Sequence, residues 1–287
     1  MKTVGVERRA MKAAIETETI SAGSAEIPTL GFGTARMTGD QCRRAVERAL
    51  EVGYRHVDTA QLYENEAAVG DAIDASDVPR EDVFVVTKVH RDNAAHDDVV
   101  ASTRASLERL DLETVDLLLL HAPSRRAPLE ETIGAMNDLQ ADGVVEHIGV
   151  SNFSVEQLEF AIECSETPIV TNQVKYHPYH HQNELLEWCV ENDVCLTAYS
   201  PLAEGAVPGD DRLAEIGEPY GKSAVQVALC WLRQQPMVAA IPKAATPSHI
   251  ETNADVFDVE LTDDELDAVG DLGDGRWSRL AGRLGLR

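Results

Sequence analysis

Lysine is scarce in this chain: six residues against nineteen arginines in a length of 287. Cysteine is scarce too. Cys42, Cys164, Cys189, Cys195 and Cys230 are odd in number and form no C-x-x-C pair. That excludes a disulfide framework and favours a reducing compartment. Long apolar runs are missing: Leu117 to Leu120 is typical, and far too short to cross a bilayer. The stretch from Met1 to Ile20 has no apolar core of signal-peptide length, so a cytoplasmic location is expected. Glycine-rich nucleotide loops are absent as well. Gly31-Phe32-Gly33 lacks the third glycine of a dinucleotide fingerprint, and no G-x-x-x-x-G-K-[ST] loop occurs.

What is abundant is negative charge. Fifty acidic residues against 25 basic ones give a formal net charge of -25. Such a surface repels nucleic acid and anionic membranes, and repels itself at low ionic strength. Acidic excess with little lysine points to a protein adapted to high salt, where screening removes the self-repulsion; an ordinary acidic protein is the plainer reading.

No linker or low-complexity stretch divides the chain, so a single domain over residues 1–287 is expected, with 1–15 as a flexible extension. Residues 16–30 read as a hairpin turning at Ala22-Gly23-Ser24. Beyond it, short apolar runs alternate with amphipathic runs of helical period. The predicted strands are Leu30–Gly33, His56–Asp58, Val83–Lys88, Val115–His121, His147–Ser151, Ile169–Gln173, Cys195–Tyr199 and Val238–Pro242. Helices are predicted over 40–52, 65–75, 97–110, 130–142, 155–163, 182–192, 223–235 and 248–254, with a further one capped at Thr262. Eight strand–helix units predict a (β/α)8 barrel with a short C-terminal tail, and an open doubly wound sheet is the alternative.

Barrel enzymes place their chemistry at the carboxyl ends of the strands. Here those ends carry Asp58, Lys88, His121, Ser151-Asn152, Gln173, Tyr199-Ser200 and Lys243. Each alone has a structural explanation; together they form a constellation at one rim. Tyr63, five residues past Asp58, can fold over the same mouth. An ammonium beside a phenol lowers its pKa, so Lys88 can activate Tyr63 as an acid while Asp58 holds Lys88 charged. His121 can hydrogen-bond a substrate oxygen. Such a set suits carbonyl reduction, which needs a nicotinamide cofactor for the hydride. Ser151, Asn152 and Gln173 can bind a carboxamide, and Tyr199 can stack on a ring, although core packing would also explain it. The helix start at Thr246-Pro247-Ser248, behind Lys243, can take a phosphate. A Schiff-base isomerase or aldolase using Lys88 would leave those groups unexplained. His177, His180 and His181 lack a carboxylate or cysteine partner at matching spacing, so no metal site is expected.

These residues resemble the aldo-keto reductase superfamily from about Ile27 to Leu261. The most specific pieces are Gly31-Phe32-Gly33-Thr34, Asp58-Thr59-Ala60 with Tyr63, Asn65, Glu66, Val69 and Gly70, then Leu118-Leu119-Leu120-His121, Gly149-Val150-Ser151-Asn152-Phe153, Asn172-Gln173-Val174, Tyr199-Ser200-Pro201-Leu202 and Ile241-Pro242-Lys243. The resemblance implies a catalytic tetrad of Asp58, Tyr63, Lys88 and His121, and NADP(H) bound extended with its pro-R hydride transferred. It also implies that Thr34, Ser200, Leu202 and Asn253 touch the cofactor. Short loops resemble the prokaryotic branch with its diketogluconate and methylglyoxal reductases. Ala244, His249 and Thr252 depart from the family pattern around the adenine and its phosphate, which keeps NAD(H) as the other candidate. Where the family often has pocket tryptophans, this chain has Ala35, His90 and Ala122, predicting a wide, polar mouth that Trp277 partly refills. A small carbonyl compound is the expected partner of a monomer. A nucleotide-holding subunit with little turnover is the alternative.

Overall fold

The computed structural model describes residues 18–273. The predicted extension over 1–15, the C-terminal tail and Trp277 lie outside them. Strands β1 (Thr19–Ala22) and β2 (Ala25–Pro28) pair antiparallel around a two-residue turn at Gly23-Ser24. Eight further strands form one parallel sheet in chain order: β3 (Phe32–Gly33), β4 (His56–Asp58), β5 (Phe84–Val89), β6 (Val115–Leu120), β7 (Val145–Ser151), β8 (Ile169–Lys175), β9 (Cys195–Tyr199) and β10 (Val238–Ala240). The first and last strands meet. The Gly31 amide donates to the Ala240 carbonyl at 2.8 Å, and the Ala240 amide to the Thr29 carbonyl at 2.8 Å. The sheet is therefore a closed barrel with no free edge.

The helices are α1 (Gly39–Val52), α2 (Glu66–Asp74), α3 (His96–Leu110), α4 (Leu129–Ala141), α5 (Val155–Cys164), α6 (Asn183–Glu191), α7 (Asp211–Gly217), α8 (Ala224–Arg233), α9 (Pro247–Ala254) and α10 (Asp263–Gly270). Side-chain caps begin several of them. Ser154, Ser223 and Thr262 each form a reciprocal box with a Gln or Glu three residues on, so the cap predicted at Thr262 is present.

Two apolar layers follow from the closure. The larger lies between the strands' outward side chains and the helices, and holds Val85, Val89, Leu118 and Leu120. The smaller combines Val86, Leu117, Leu119, Cys195 and Ala239 with Ala22, Ala25 and Ile27 of the hairpin. The hairpin thus plugs one end of the barrel. At the opposite, carboxyl end the side chains turn polar, and that end is open.

The strand boundaries shift modestly from expectation. β3 is reduced to Phe32–Gly33 with an isolated bridge at Leu30, and β10 stops at Ala240. Pro242 has no N–H to continue the ladder, but its carbonyl accepts from the Gly33 amide at 3.2 Å. A Cβ on Gly33 would stand 2.8 Å from the Ile241 carbonyl oxygen, so only glycine permits this approach. β8 runs on to Lys175, and His121 lies just past β6. Helix α7 was not predicted: it sits in the long connection after β9, capped by Asp210, whose carboxylate accepts from the Arg212 and Leu213 amides. No helix among the described residues is long and apolar enough to cross a membrane.

Candidate active site

Strand register brings the ionisable groups together. Asp58 stands beside Val86 and Lys88 beside Leu119, so inward-facing residues of neighbouring strands end at one level. Lys88 is fully buried, and its ammonium donates to Asp58 Oδ1 at 2.5 Å and to the Thr59 carbonyl at 2.7 Å. The other carboxylate oxygen, Oδ2, accepts from Gln173 Nε2 at 2.7 Å, across the barrel mouth. Lys88 Nζ lies 5.0 Å from the centroid of the Tyr63 ring, and the Tyr63 and His121 rings meet edge-on with centroids 5.6 Å apart. Phenol, ammonium, carboxylate and imidazole therefore converge.

Burial and charge compete at each group. Burial opposes the Lys88 ammonium, but Asp58 and Tyr63 outweigh it and hold its pKa above the ordinary value. Burial pushes the Tyr63 phenol up; Lys88 pulls it down by a smaller amount, and the net direction is upward. The expectation of a lowered phenol pKa thus captured the sign of the Lys88 effect but not its size against desolvation. For His121, burial first and the nearby Lys88 second push the pKa down to about 4. Its imidazole is neutral at pH 7, and Nδ1 is buried without a protein partner.

A cleft of about 800 Å³ opens above this cluster. Its wall contains Asp58, Tyr63, His121, Ser151, Asn152, Gln173, Tyr199, Ser200, Leu202 and Lys243, as well as Ala35. A side-chain chain runs along one side. Tyr199 Oη donates to Asn152 Oδ1 at 2.9 Å, Asn152 Nδ2 donates to Ser151 Oγ and to the His121 carbonyl, each at 3.0 Å, and Ser151 Oγ donates to the Gln173 carbonyl at 2.8 Å. Asn152 and Ser200 both have left-handed backbones, with φ of 63° and 51°.

Other predicted residues fall elsewhere. Thr34 is fully buried, and its hydroxyl donates to the Asp58 carbonyl at 2.9 Å, so it braces the strand end behind the cleft. Thr246 and His249 are exposed at the start of α9 and Asn253 is buried in that helix; none belongs to the cleft wall. His90 and Ala122 are also outside the wall. The His90 ring turns to accept from the Asp92 amide, and its own amide donates to Gln61 Oε1 at 2.9 Å. Trp277 is outside the described residues.

Several wall residues were missed, Leu62, Arg36 and Glu204 among them. Leu62 is a large apolar side chain left 56% exposed beside Tyr63, a neighbour that could have drawn attention to it. Arg36 and Glu204 approach across the cleft at 3.9 Å, and Lys175 Nζ reaches Glu204 at 3.2 Å. No sequence pattern signals that grouping: Arg36 and Glu204 sit in left-handed loop positions, and Lys175 ends β8. Among the described residues no three His, Cys, Asp or Glu side chains are placed to hold a metal ion.

The model of the aldo/keto reductase family matches residues 29–274. A glyoxal reductase of Bacillus subtilis is 37% identical over 245 residues, 85% of this chain and 88% of that protein. An aldo-keto reductase of Mycolicibacterium smegmatis is 38% identical over 264 residues, covering 92% and 93%. Among solved structures, a proposed 2,5-diketo-D-gluconic acid reductase B is 47% identical with a TM-score of 0.87, covering 91% of this chain and 94% of that one. A Bombyx mori aldo-keto reductase in complex with NADP is 31% identical with a TM-score of 0.84, covering 90% and 93%.

Proposed function

The chain belongs to the aldo/keto reductase family and is an oxidoreductase, and from that premise we propose that it reduces small aldehydes, ketones or keto sugars to alcohols with NADPH, Tyr63 delivering the proton. The observation that carries this reading is the buried Lys88–Asp58 pair lying under the Tyr63 ring at the floor of the cleft.

The residues present fit a nicotinamide nucleotide. Ser151, Asn152 and Gln173 offer a hydroxyl and two carboxamides on the cleft wall, and the left-handed Asn152 aims its side chain inward between Tyr199 and His121. These would hold the carboxamide, with Tyr199 against the ring. Lys243, exposed at the rim, and the first turn of α9 at Thr246 and His249 would take the phosphates. When bound, the reduced nicotinamide supplies the hydride.

The chain's own groups handle the proton. Tyr63 gives its hydroxyl proton to the carbonyl oxygen. Lys88 stabilises the phenolate that remains, and its positive charge is fixed by Asp58. Asp58 is held from its other side by Gln173. Because His121 titrates near 4, it meets the substrate oxygen as a neutral imidazole and orients it without competing as the acid. The open wall at Ala35 admits a polar substrate of some width.

The test is NADPH oxidation with a panel of small carbonyls. Tyr63→Phe is expected to remove general-acid catalysis, a loss on the order of 10²–10⁴-fold in kcat, with NADPH binding preserved. A variant keeping more than a few per cent of turnover would contradict the assignment.

A further inference from the structure

Tyr63 is carried on a single 3-10 turn, Gln61–Tyr63, entered from an extended Ala60 and left through a left-handed Glu64, φ 54°. Its own hydrogen bonds are few: the Tyr63 amide to the Ala60 carbonyl at 3.0 Å and the Glu64 amide to the Gln61 carbonyl at 3.3 Å. So short a turn does not fix the phenol against Asp58 of β4 and Lys88 of β5 by itself. Two carboxamides flank it. Gln61 Oε1 accepts from the His90 amide at 2.9 Å and from Asn93 Nδ2 at 3.1 Å, both in the loop that follows Lys88. Asn65 is buried; its Oδ1 accepts from Thr59 Oγ1 at 2.6 Å, and its Nδ2 donates to the Thr34 and Met37 carbonyls, each at 2.9 Å.

We infer that Gln61 and Asn65 are positioning residues that clamp the Tyr63 turn from both ends, Gln61 to the loop of the Lys88 strand and Asn65 to the Asp58 strand end and the loop after β3. The inference rests on Tyr63 being the proton donor. Neither carboxamide lines the catalytic cleft around Tyr63, so each acts through the turn. Their demands differ. Gln61 works only as an acceptor, since its Nε2 is buried without a partner. Glutamate keeps both accepted bonds there, whereas methionine keeps the length and loses them. Asn65 needs its acceptor and both donors at once. Aspartate at 65 would set a carboxylate oxygen against two carbonyl oxygens.

Four variants test this by kcat, NADPH affinity, thermal midpoint and the alkaline limb of kcat. Gln61→Met is expected to lower kcat on the order of 10- to 100-fold, the cost of a displacement near 1 Å at the reacting group, with NADPH affinity unchanged. Lys88 pulls the phenol pKa down, so a phenol drawn away from it titrates higher, and the alkaline limb moves to higher pH. Gln61→Glu is expected to restore kcat, although its added negative charge disfavours phenolate and keeps the limb high, and Asn65→Asp to lose kcat as Gln61→Met does. A folded Gln61→Met with wild-type kcat, or a Gln61→Glu that falls as far, overturns the clamp. Tyr63→Phe runs in parallel: if it keeps turnover, the proton-donor reading fails and takes the clamp with it, whereas a dead Tyr63→Phe beside an active Gln61→Met rejects the clamp alone.

Discussion

Lys88 shows how much one residue is asked to do. Its ammonium is removed from water, which is tolerable only because Asp58, Thr59 and Tyr63 surround it. Such a pair adds little net stability, but breaking it leaves a lone buried charge, at a cost of about 3–5 kcal/mol. Lys88→Met is therefore expected to lower unfolding free energy by that amount and to abolish turnover. Asp58→Asn in the same chain removes the stranded carboxylate. The double variant should be less destabilised than the sum of the two single ones, as urea melts of all four proteins would reveal. Strict additivity would mean that Lys88 and Asp58 are not energetically coupled. The same residue marks the limit of sequence reasoning. That Lys88 faces Asp58 follows from strand ends and barrel closure. That burial outweighs Lys88 at the Tyr63 phenol does not, because desolvation depends on every neighbour of the ring.

At the scale of elements, the barrel strands were legible because each apolar run stops at a polar residue; β5 and β6 are continuous runs buried on both faces. The loops were not. His90 occupies the expected place in the chain, yet its amide is drawn to Gln61 and its ring to Asp92, contacts no local pattern encodes. Helix α7 has seven residues behind Val207-Pro208-Gly209, and its cap Asp210 is fixed by Tyr179 Oη at 2.8 Å, from 31 residues away. Helix α9 carries the prediction that belongs here. Its exposed first turn offers His249 where arginine would grip a phosphate through two parallel N–H bonds. His249→Arg is expected to tighten NADPH roughly tenfold, about one charge-assisted hydrogen bond, and to leave NADH nearly unchanged. Equal effects on both would place His249 away from the 2′-phosphate.

The whole molecule carries a net charge of -25, and two effects of pH act on it in opposite directions. Mutual repulsion among carboxylates makes the folded chain welcome protons, so acidification relieves it; salt relieves it as well, by shortening the Debye length to about 3 Å at 1 M. The second effect comes from buried histidines. His121 and His177 are pushed down to about 4, mainly by burial, and His56 is lowered for the same reason. An unfolded histidine titrates near ~6.5. Between those values the unfolded chain takes up protons that the folded chain refuses, so the stability these residues confer is complete above ~6.5 and drains away as pH falls toward 4. His96, raised by Asp138 and Asp97, acts the other way, but it is exposed and its pairing is screened. At low salt the carboxylate and histidine effects overlap. In molar KCl the first is silenced. Thermal melts at pH 7 are therefore expected to shift upward as KCl is raised. Melts in molar KCl should then drop by about a few degrees between pH 7 and pH 5, and His177→Asn, at a position outside the cleft wall, should recover part of that drop. A midpoint in molar KCl that holds steady or climbs over this range would show that the imidazoles accept protons in the folded barrel.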